Sequence, residues 1–494
     1  MTNRESGILL HVTSLPGAEG IGSLGIEAFR FVDLLHKTGQ KLWQILPIGP
    51  TGYGNSPYQC YSAFAGNPLL IDLNQLTKDG LLHVNDLKYP KNLSSKRVCF
   101  QQVADWKYPL LKKAFLNFQS QESDNLTNEY QLFLKEHNWW LHDYCLFMAL
   151  KKYFQGKHWS DWPPDLKFRD EKTLKKYSLL FAEEIEFRKF VQFQFFRQWF
   201  RLKDYAHSKN IRIIGDLPLY VSGDSGDIWT NNDIFMLDKH LKPTHVGGVP
   251  PDYFSETGQL WGNPVYDWDK LEQREFDWWL ARLHFNANLF DRVRIDHFRG
   301  LESFWSVPAK NKTAINGQWI PAKGYALLKK FKEQVVHLPL IAEDLGVITP
   351  AVEDLRDAFE LQGMKVLQFA FGSDPTNQHL PHNYQSQFVA YTGTHDNDTT
   401  LGWLHSLKGV ERKLVRRYLG KPGINALRKG VEWVWASGAQ SAIMPMQDIL
   451  ELKGEARFNT PGIPNGNWEW RFQWKQLKNK HLQFLKELTE KYNR

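Results

Sequence analysis

The chain has 494 residues, of which 42% are hydrophobic and 23% are charged, so it can bury a large core. Its formal net charge of +7 comes from 61 basic and 54 acidic residues that are mixed along the whole chain, which argues against a nucleic-acid-binding protein. No apolar stretch approaches the roughly 20 residues that a membrane-spanning helix needs, and the apolar residues 8–10 are too few for the core of a signal peptide. We therefore expect neither a membrane nor a nucleic acid as partner.

The cysteine and aromatic contents narrow the class of protein further. The chain has only three cysteines, Cys60, Cys99 and Cys145, and no CxxC pair. This is typical of a reducing compartment and argues against a disulfide framework or a structural zinc site. Aromatic residues make up 14% of the chain, including 20 Trp. Most of these rings must fill the core, so their number is only weak evidence for sugar stacking.

Eight short runs of β-forming residues predict the core of the fold. In chain order they are residues 8–12, 42–46, 211–217, 292–296, 340–343, 365–371, 389–392 and 442–446. Most are too apolar to alternate, which is typical of strands covered on both faces. Helical patterns lie between several of them, such as the apolar stripe of Phe187, Phe190, Val191, Phe195, Trp199 and Leu202. We predict an α/β fold, a (β/α)8 TIM barrel that forms one catalytic domain over residues 1–494.

Two insertions interrupt the predicted barrel. Residues 74–205, after the second strand, are expected to form a mostly helical subdomain. Residues 217–285, after the third strand, contain a long Gly/Pro-rich loop at 243–264 that carries Tyr253, Phe254 and Trp261. Long loops without secondary structure are usually functional or disordered, and the embedded aromatic residues favour an active-site loop. A second loop of this kind is predicted at residues 459–470.

Four of the predicted strands end in, or are closely followed by, an acidic residue: Asp216, Asp296, Glu343 and Asp396. Catalytic groups of such a barrel lie at the carboxyl ends of its strands. One acid in this position is usually a helix N-cap. Several acids at one barrel mouth repel each other unless a cation, or a substrate that develops positive charge, joins them. The set therefore favours a catalytic site.

Asp-His pairs leave a metal site open as an alternative. His297 follows Asp296 and His395 precedes Asp396, and imidazole with carboxylate suits zinc or manganese. Arg294 lies two residues before Asp296, on the same face of the strand, where a guanidinium disfavours a divalent cation. A metal-dependent barrel hydrolase therefore ranks below a metal-free enzyme.

Three blocks of this sequence resemble the active-site blocks of the 4-α-glucanotransferases, which are also called amylomaltases or disproportionating enzymes and are related to the α-amylases. They are Val293-Arg-Ile-Asp-His-Phe-Arg-Gly300, Ala342-Glu-Asp-Leu-Gly346 and Gly393-Thr-His-Asp-Asn397. The resemblance extends to Ser56-Pro-Tyr-Gln59, to Gly215-Asp216 and to the long block from Pro250 to Pro264. This last block distinguishes the family from ordinary α-amylases.

The resemblance implies a role for each matching residue. Asp296 is expected to be the nucleophile, Glu343 the general acid/base and Asp396 the acid that stabilises the transition state. Arg294 is expected to orient Asp296. The implied substrate-binding residues are Tyr58, Asp216, His297 and His395 on the donor side and Trp261 on the acceptor side, with Tyr53 in a second glucan contact. The resemblance implies no metal and no organic cofactor. Since the matching blocks begin near residue 7, no plastid transit peptide is expected, which implies a cytoplasmic location.

The sequence thus predicts a transferase that moves α-1,4-glucan segments from maltooligosaccharides, or from starch or glycogen chains, to glucose or an oligosaccharide. A retaining reaction through a covalent glucosyl-enzyme needs one carboxylate ionised and the other protonated. Arg294 is expected to favour the charged form of Asp296, and the neighbouring acids the neutral form of Glu343. Two further alternatives remain: an α-glucan hydrolase with the same carboxylates, and an inactive glucan-binding protein.

Overall fold

A computed structural model describes residues 4–120, 124–251, 255–463 and 465–494. Within them lie twelve strands: β1 (Glu5–Leu9), β2 (Leu42–Gln44), β3 (Arg212–Pro218), β4 (His245–Val249), β5 (Gln259–Pro264), β6 (Arg292–Asp296), β7 (Ser303–Pro308), β8 (Gln318–Pro321), β9 (Leu340–Ala342), β10 (Gly363–Val366), β11 (Phe388–Tyr391) and β12 (Ser441–Pro445).

The helices of the described residues are α1 (Ile26–Lys37), α2 (Leu73–Lys78), α3 (Phe100–Ser120), α4 (Asp124–Tyr153), α5 (Pro164–Lys167), α6 (Glu171–Leu180), α7 (Ala182–Ser208), α8 (Gly226–Thr230), α9 (Trp268–Gln273), α10 (Asp277–Leu289), α11 (Gly324–Lys332), α12 (Pro350–Ala358), α13 (Thr400–Ser406), α14 (Gly409–Tyr418), α15 (Ile424–Ala436), α16 (Met446–Ile449) and α17 (Asn479–Lys491). None of them is both long and apolar enough to cross a bilayer.

Eight parallel strands form the central sheet, in the order β10-β11-β12-β1-β2-β3-β6-β9. A single parallel bridge between Ile341 and Gln362 joins its two ends, so the sheet is a nearly closed barrel. Helices lie between most of its successive strands, and the predicted (β/α)8 fold is confirmed. Nearly every residue of these strands is buried, which explains why they are apolar and do not alternate.

The predicted strand bounds were wrong by several residues at two places. The first strand begins at Glu5, whose buried carboxylate forms an ion pair of 2.6 Å with Arg292, so a polar residue belongs to the strand. The strand predicted at 365–371 is β10, which ends at Val366, and Leu367–Phe369 is a 3-10 turn. Residues 367–371 are as apolar as the strand before them, so hydrophobicity does not mark its end.

Residues 243–264 are not the structureless loop that we expected. They contain β4 and β5, which pair with each other and belong, together with β7 and β8, to a second, antiparallel sheet of order β5-β4-β7-β8. Gly247 and Gly248 lower the β propensity of β4, and its partner β7 comes much later in the chain. A search for local strand patterns therefore misses it. Trp261 lies on β5, whereas Tyr253 and Phe254 lie outside the described residues.

In the described residues, six helices, α2 to α7, lie between β2 and β3. The predicted apolar stripe lies on α7 and is buried along its whole length. A buried ion pair joins this helical segment to the barrel: Lys107 Nζ lies 2.6 Å from Glu19 Oε2, and neither side chain is more than 4% exposed. Such a pair stabilises the fold only while both partners are present.

Candidate active site

Four carboxylates lie at the carboxyl ends of the barrel strands. Asp216 is on β3, Asp296 ends β6, Glu343 follows β9, and Asp396 follows β11. Ile295 pairs with Ala342, so the residues that come next, Asp296 and Glu343, lie opposite each other on adjacent strands. Adjacent strands are about 4.8 Å apart, and the carboxyl groups of a retaining glycosidase are about 5–5.5 Å apart. The register thus suits this pair of carboxylates.

Arg294 joins two of these carboxylates from beneath. Its Nη1 donates to both oxygens of Asp216, at 2.8 and 2.7 Å, and its Nη2 donates to Asp296 Oδ1 at 2.9 Å. The Arg294 and Asp216 side chains are 5% and 0% exposed, and the Asp296 side chain is 29% exposed. A buried guanidinium in this position both orients Asp296 and offsets the charge of the two acids.

The Tyr58 side chain connects Asp216 to the far side of the cleft. Its hydroxyl donates to Asp216 Oδ2 at 2.7 Å and lies 2.8 Å from His395 Nε2, while the two rings stack at 5.3 Å. Since the Tyr58 proton is used on Asp216, His395 Nε2 must be the donor toward Tyr58. Burial lowers the pKa of His395, so the imidazole is held neutral with its proton on Nε2.

Asp396 is held from its other side by the segment that opens the loop at 459–470. Asn459 Nδ2 donates to Asp396 Oδ1 at 2.6 Å, and Arg457 Nη2 donates to the main-chain carbonyl of Asp396, also at 2.6 Å. His395 Nε2 lies 3.4 Å from the same Oδ1. Sequence reasoning missed Asn459 and Arg457, which follow Asp396 by about 60 residues. The only signal for them was the length of the loop.

His297 holds Glu343 through its main chain. It adopts a left-handed conformation with φ of 54°, which a non-glycine residue rarely does, and its N–H donates to Glu343 Oε2 at 2.7 Å. The Leu345 N–H donates to Oε1 at 3.1 Å. The His297 ring packs against Trp261 at 4.8 Å. The buried Nε2 of His297 has no hydrogen-bond partner among the described residues, so this atom is free to bind a ligand hydroxyl.

Burial raises the pKa of both acids on the adjacent strands, to about 7 for Asp296 and about 8 for Glu343. Arg294 opposes the rise at both, and at Asp296 it also donates a direct hydrogen bond. The negative charge of Asp296 raises the pKa of Glu343 further. The two carboxyls interact and titrate as a pair. When the pair holds a single proton, that proton resides mainly on Glu343, which leaves Asp296 ionised. This division suits an acid beside a nucleophile.

The structure brings together nine of the ten residues to which the resemblance gave a catalytic or glucan-binding role: Tyr58, Asp216, Trp261, Arg294, Asp296, His297, Glu343, His395 and Asp396. Tyr53 lies apart from this network, in a turn, and is 81% exposed. His11 is buried and accepts a hydrogen bond from the Leu46 N–H at 3.3 Å. Among the described residues no group of His, Cys, Asp and Glu is arranged to hold a metal ion.

Comparison with known proteins gives consistent matches along the chain. The family model described as 4-alpha-glucanotransferase matches residues 10–478. The 4-alpha-glucanotransferase of Thermus thermophilus is 48% identical over 500 residues, which cover 99% of each chain. That of Synechocystis is 46% identical and covers 99% of this chain and 98% of its own. The amylomaltase of Streptococcus agalactiae, solved in complex with acarbose, superposes with a TM-score of 0.96 at 39% identity and covers 99% of both chains.

Proposed function

The chain belongs to the 4-alpha-glucanotransferase family and has the activity of an amylomaltase on α-1,4-glucans, and we propose that it transfers glucan segments by a retaining double displacement at Asp296 and Glu343. The observation that carries this proposal is that the two acids lie at the ends of the adjacent strands β6 and β9, each directly after the paired residues Ile295 and Ala342, and that Arg294 is bonded to only one of the two acids. The curated relatives, at 41–48% identity, are named as transferases, so the hydrolase alternative is not favoured.

In the first step Asp296 attacks the anomeric carbon of the donor glucan. The bond from that carbon to the glycosidic oxygen breaks as a bond to an Asp296 oxygen forms, and Glu343 gives its proton to the departing oxygen. The reducing-end segment leaves with a new hydroxyl, and the remainder stays as a glucosyl ester. Arg294 favours this step because it holds Asp296 in place and favours its ionised form.

In the second step Glu343, now ionised, removes the proton from a hydroxyl of the acceptor sugar. The acceptor oxygen bonds to the anomeric carbon, and the ester bond to Asp296 breaks. Trp261 packs against the ring of His297, the residue that follows Asp296 and donates its N–H to Glu343, and from there its ring can hold the acceptor sugar. An acceptor held in this way competes with water, because an oriented reactant has an effective molarity far above its real concentration.

The remaining residues act on the sugar that carries the developing charge. We propose that Asp396 stabilises the transition state through sugar hydroxyls, and that Tyr58, Asp216, His297 and His395 bind the same sugar. The hydrogen bonds from Arg294 through Tyr58 to His395 support this, since they fix these groups before substrate binds.

We propose that the enzyme works in the reducing environment of the cytoplasm, since all three cysteines are free thiols. Burial raises the pKa of Cys60 to about 12, and the pKa of Cys145 is raised by burial as well. These two thiols are therefore protonated and poorly reactive.

The proposed mechanism predicts that E343Q traps the covalent intermediate. A maltosyl fluoride donor needs no proton on its leaving group, so attack by Asp296 should survive, while transfer to an acceptor lacks its base. The glycosyl-enzyme should accumulate, and mass spectrometry of a digest should locate it on Asp296. D396N is the matched control, since it removes a carboxylate of the same cleft and leaves the general base intact. An adduct on any residue other than Asp296 would refute the proposed nucleophile.

A further inference from the structure

Residues 457–463 and 465–468 form one wall of the cleft and are joined by short hydrogen bonds. The Trp468 N–H donates to the Phe458 carbonyl at 2.8 Å, and Asn467 Oδ1 accepts from the Thr460 N–H at 2.9 Å. Trp468 also packs against Tyr58 and His395, with ring centroids 5.7 and 6.1 Å away. The wall is therefore a preformed part of the site that also holds Asp396.

Asp396 itself is less constrained than the other acids, because its side chain is 42% exposed and its strand ends at Tyr391. Its Oδ1 lies 2.6 Å from Asn459 Nδ2 and 3.4 Å from His395 Nε2. Its Oδ2 makes no hydrogen bond within the described residues. The side chain of Asn459 is buried. The next residue, Thr460, donates its N–H to the side chain of Asn467, and this hydrogen bond closes the loop. The closest contact on Asp396 thus comes from a fixed amide.

We infer that Asn459 is a positioning residue, whose amide fixes the rotamer of Asp396 so that Oδ2 faces the sugar hydroxyls. This inference rests on the proposed role of Asp396 and goes beyond it by naming the group that orients the acid. A neutral amide suits this task because it donates a hydrogen bond without adding charge. A basic residue here would neutralise the carboxylate, and an acidic one would repel it whenever both were ionised.

Two variants of Asn459 separate positioning from a general structural role. N459A loses the donor, and kcat for maltotriose should fall roughly 10- to 100-fold at every pH, with little change in KM; this is the scale of the loss when the hydrogen-bonding partner of a metal-ligating side chain is removed. N459D instead places two carboxyls side by side. Below neutral pH they can share one proton, and the protonated carboxyl donates to the other. As the pH rises this proton is lost, and the two charges repel.

The ratio of N459D to wild-type kcat should therefore fall by about tenfold or more between about pH 5 and about pH 8, while the ratio for N459A stays constant. The other charged or titratable groups near Asp396 are His395, Arg457, Asp296 and Tyr58. All four are present in every variant, and N459A, which adds no charge at position 459, shows how much of any pH dependence comes from their own titration. Circular dichroism at each pH checks that the folded fraction is unchanged.

N467A is the matched control, since it removes the same residue type from the same loop without touching Asp396. Its contacts to Thr460 and Ile463 only order the loop, so its kcat ratio should not depend on pH. A constant ratio for N459D would overturn the inference, as would wild-type kcat in N459A. The D396N variant separates a failure of the positioning role of Asn459 from a failure of the proposed role of Asp396. An inactive D396N beside unaffected Asn459 variants refutes the positioning role alone, whereas an active D396N refutes the proposed role of Asp396 as well.

Discussion

Arg294 offers the sharpest test of how the site keeps its nucleophile ionised. Its guanidinium donates to Asp216 and to Asp296, and burial has already raised the pKa of Asp296 to about 7. An opposite charge at this distance lowers the pKa of a carboxyl by about 1–3 units. In R294M that effect is lost, so Asp296 should need a pH about 1–3 units higher to ionise. At pH 7 the ionised fraction of Asp296 should fall by about 5- to 500-fold. The smaller fall is expected if water, which reaches the 29% exposed side chain of Asp296, screens the lost charge.

The assay is the pH dependence of fluoride release from a maltosyl fluoride donor. This first step needs no proton from Glu343, so its acid limb reports the deprotonation of the coupled Asp296–Glu343 pair that leaves Asp296 ionised. The sign follows from the mechanism: the ionised form reacts, so activity is lost as the pH falls through the pKa of Asp296. In R294M this limb should move to higher pH, and the rate should recover in alkaline buffer.

Two companion variants keep this test interpretable. R294M leaves the buried Asp216 without its counter-charge, which costs about 3–5 kcal/mol of stability, and D216N/R294M should recover most of it. R282M removes another buried arginine, which donates to the carbonyls of Leu219 and Pro218. It should destabilise the barrel without moving the acid limb. An unchanged acid limb in a folded R294M would refute the electrostatic reasoning.

Four further expectations follow from the same structure. In a ligand-bound crystal structure the carboxyl groups of Asp296 and Glu343 should lie about 5–5.5 Å apart, and a distance of about 6.5–9.5 Å would indicate an inverting enzyme. Maltotriose should give glucose and longer maltooligosaccharides with nearly constant total reducing ends, and W261A should slow transfer more than hydrolysis, as product chromatography would show. Activity should survive exhaustive dialysis against EDTA, and a loss that zinc or manganese restores would reveal a metal site. K107M should lower the free energy of unfolding by about 3–5 kcal/mol, because it leaves Glu19 buried and unpaired, whereas K107M/E19Q should recover much of this loss in a denaturant titration.

Some features of the site were predictable because they depend on neighbours in the chain. A strand of a closed parallel barrel is apolar throughout, and a polar residue at its carboxyl end must face the barrel mouth. This reasoning places Asp216, Asp296, Glu343 and Asp396 together from sequence alone, as the structure does. The sequence also predicts that Arg294 lies on the same face of its strand as Asp296, since residues two apart in a strand share a face.

Other features were decided only by tertiary contacts. β4 and β5 have little strand character of their own, and the sheet that contains them forms because β7, from a distant part of the chain, pairs with β4, which in turn pairs with β5. Asn459 contacts Asp396 across 63 residues, and no local pattern encodes that distance. The raised pKa values of Asp296 and Glu343 have the same origin, since burial by the folded barrel is their largest cause. The sequence by itself determined which chemical groups meet at the barrel mouth, whereas the packing of distant segments decided how each is oriented and charged.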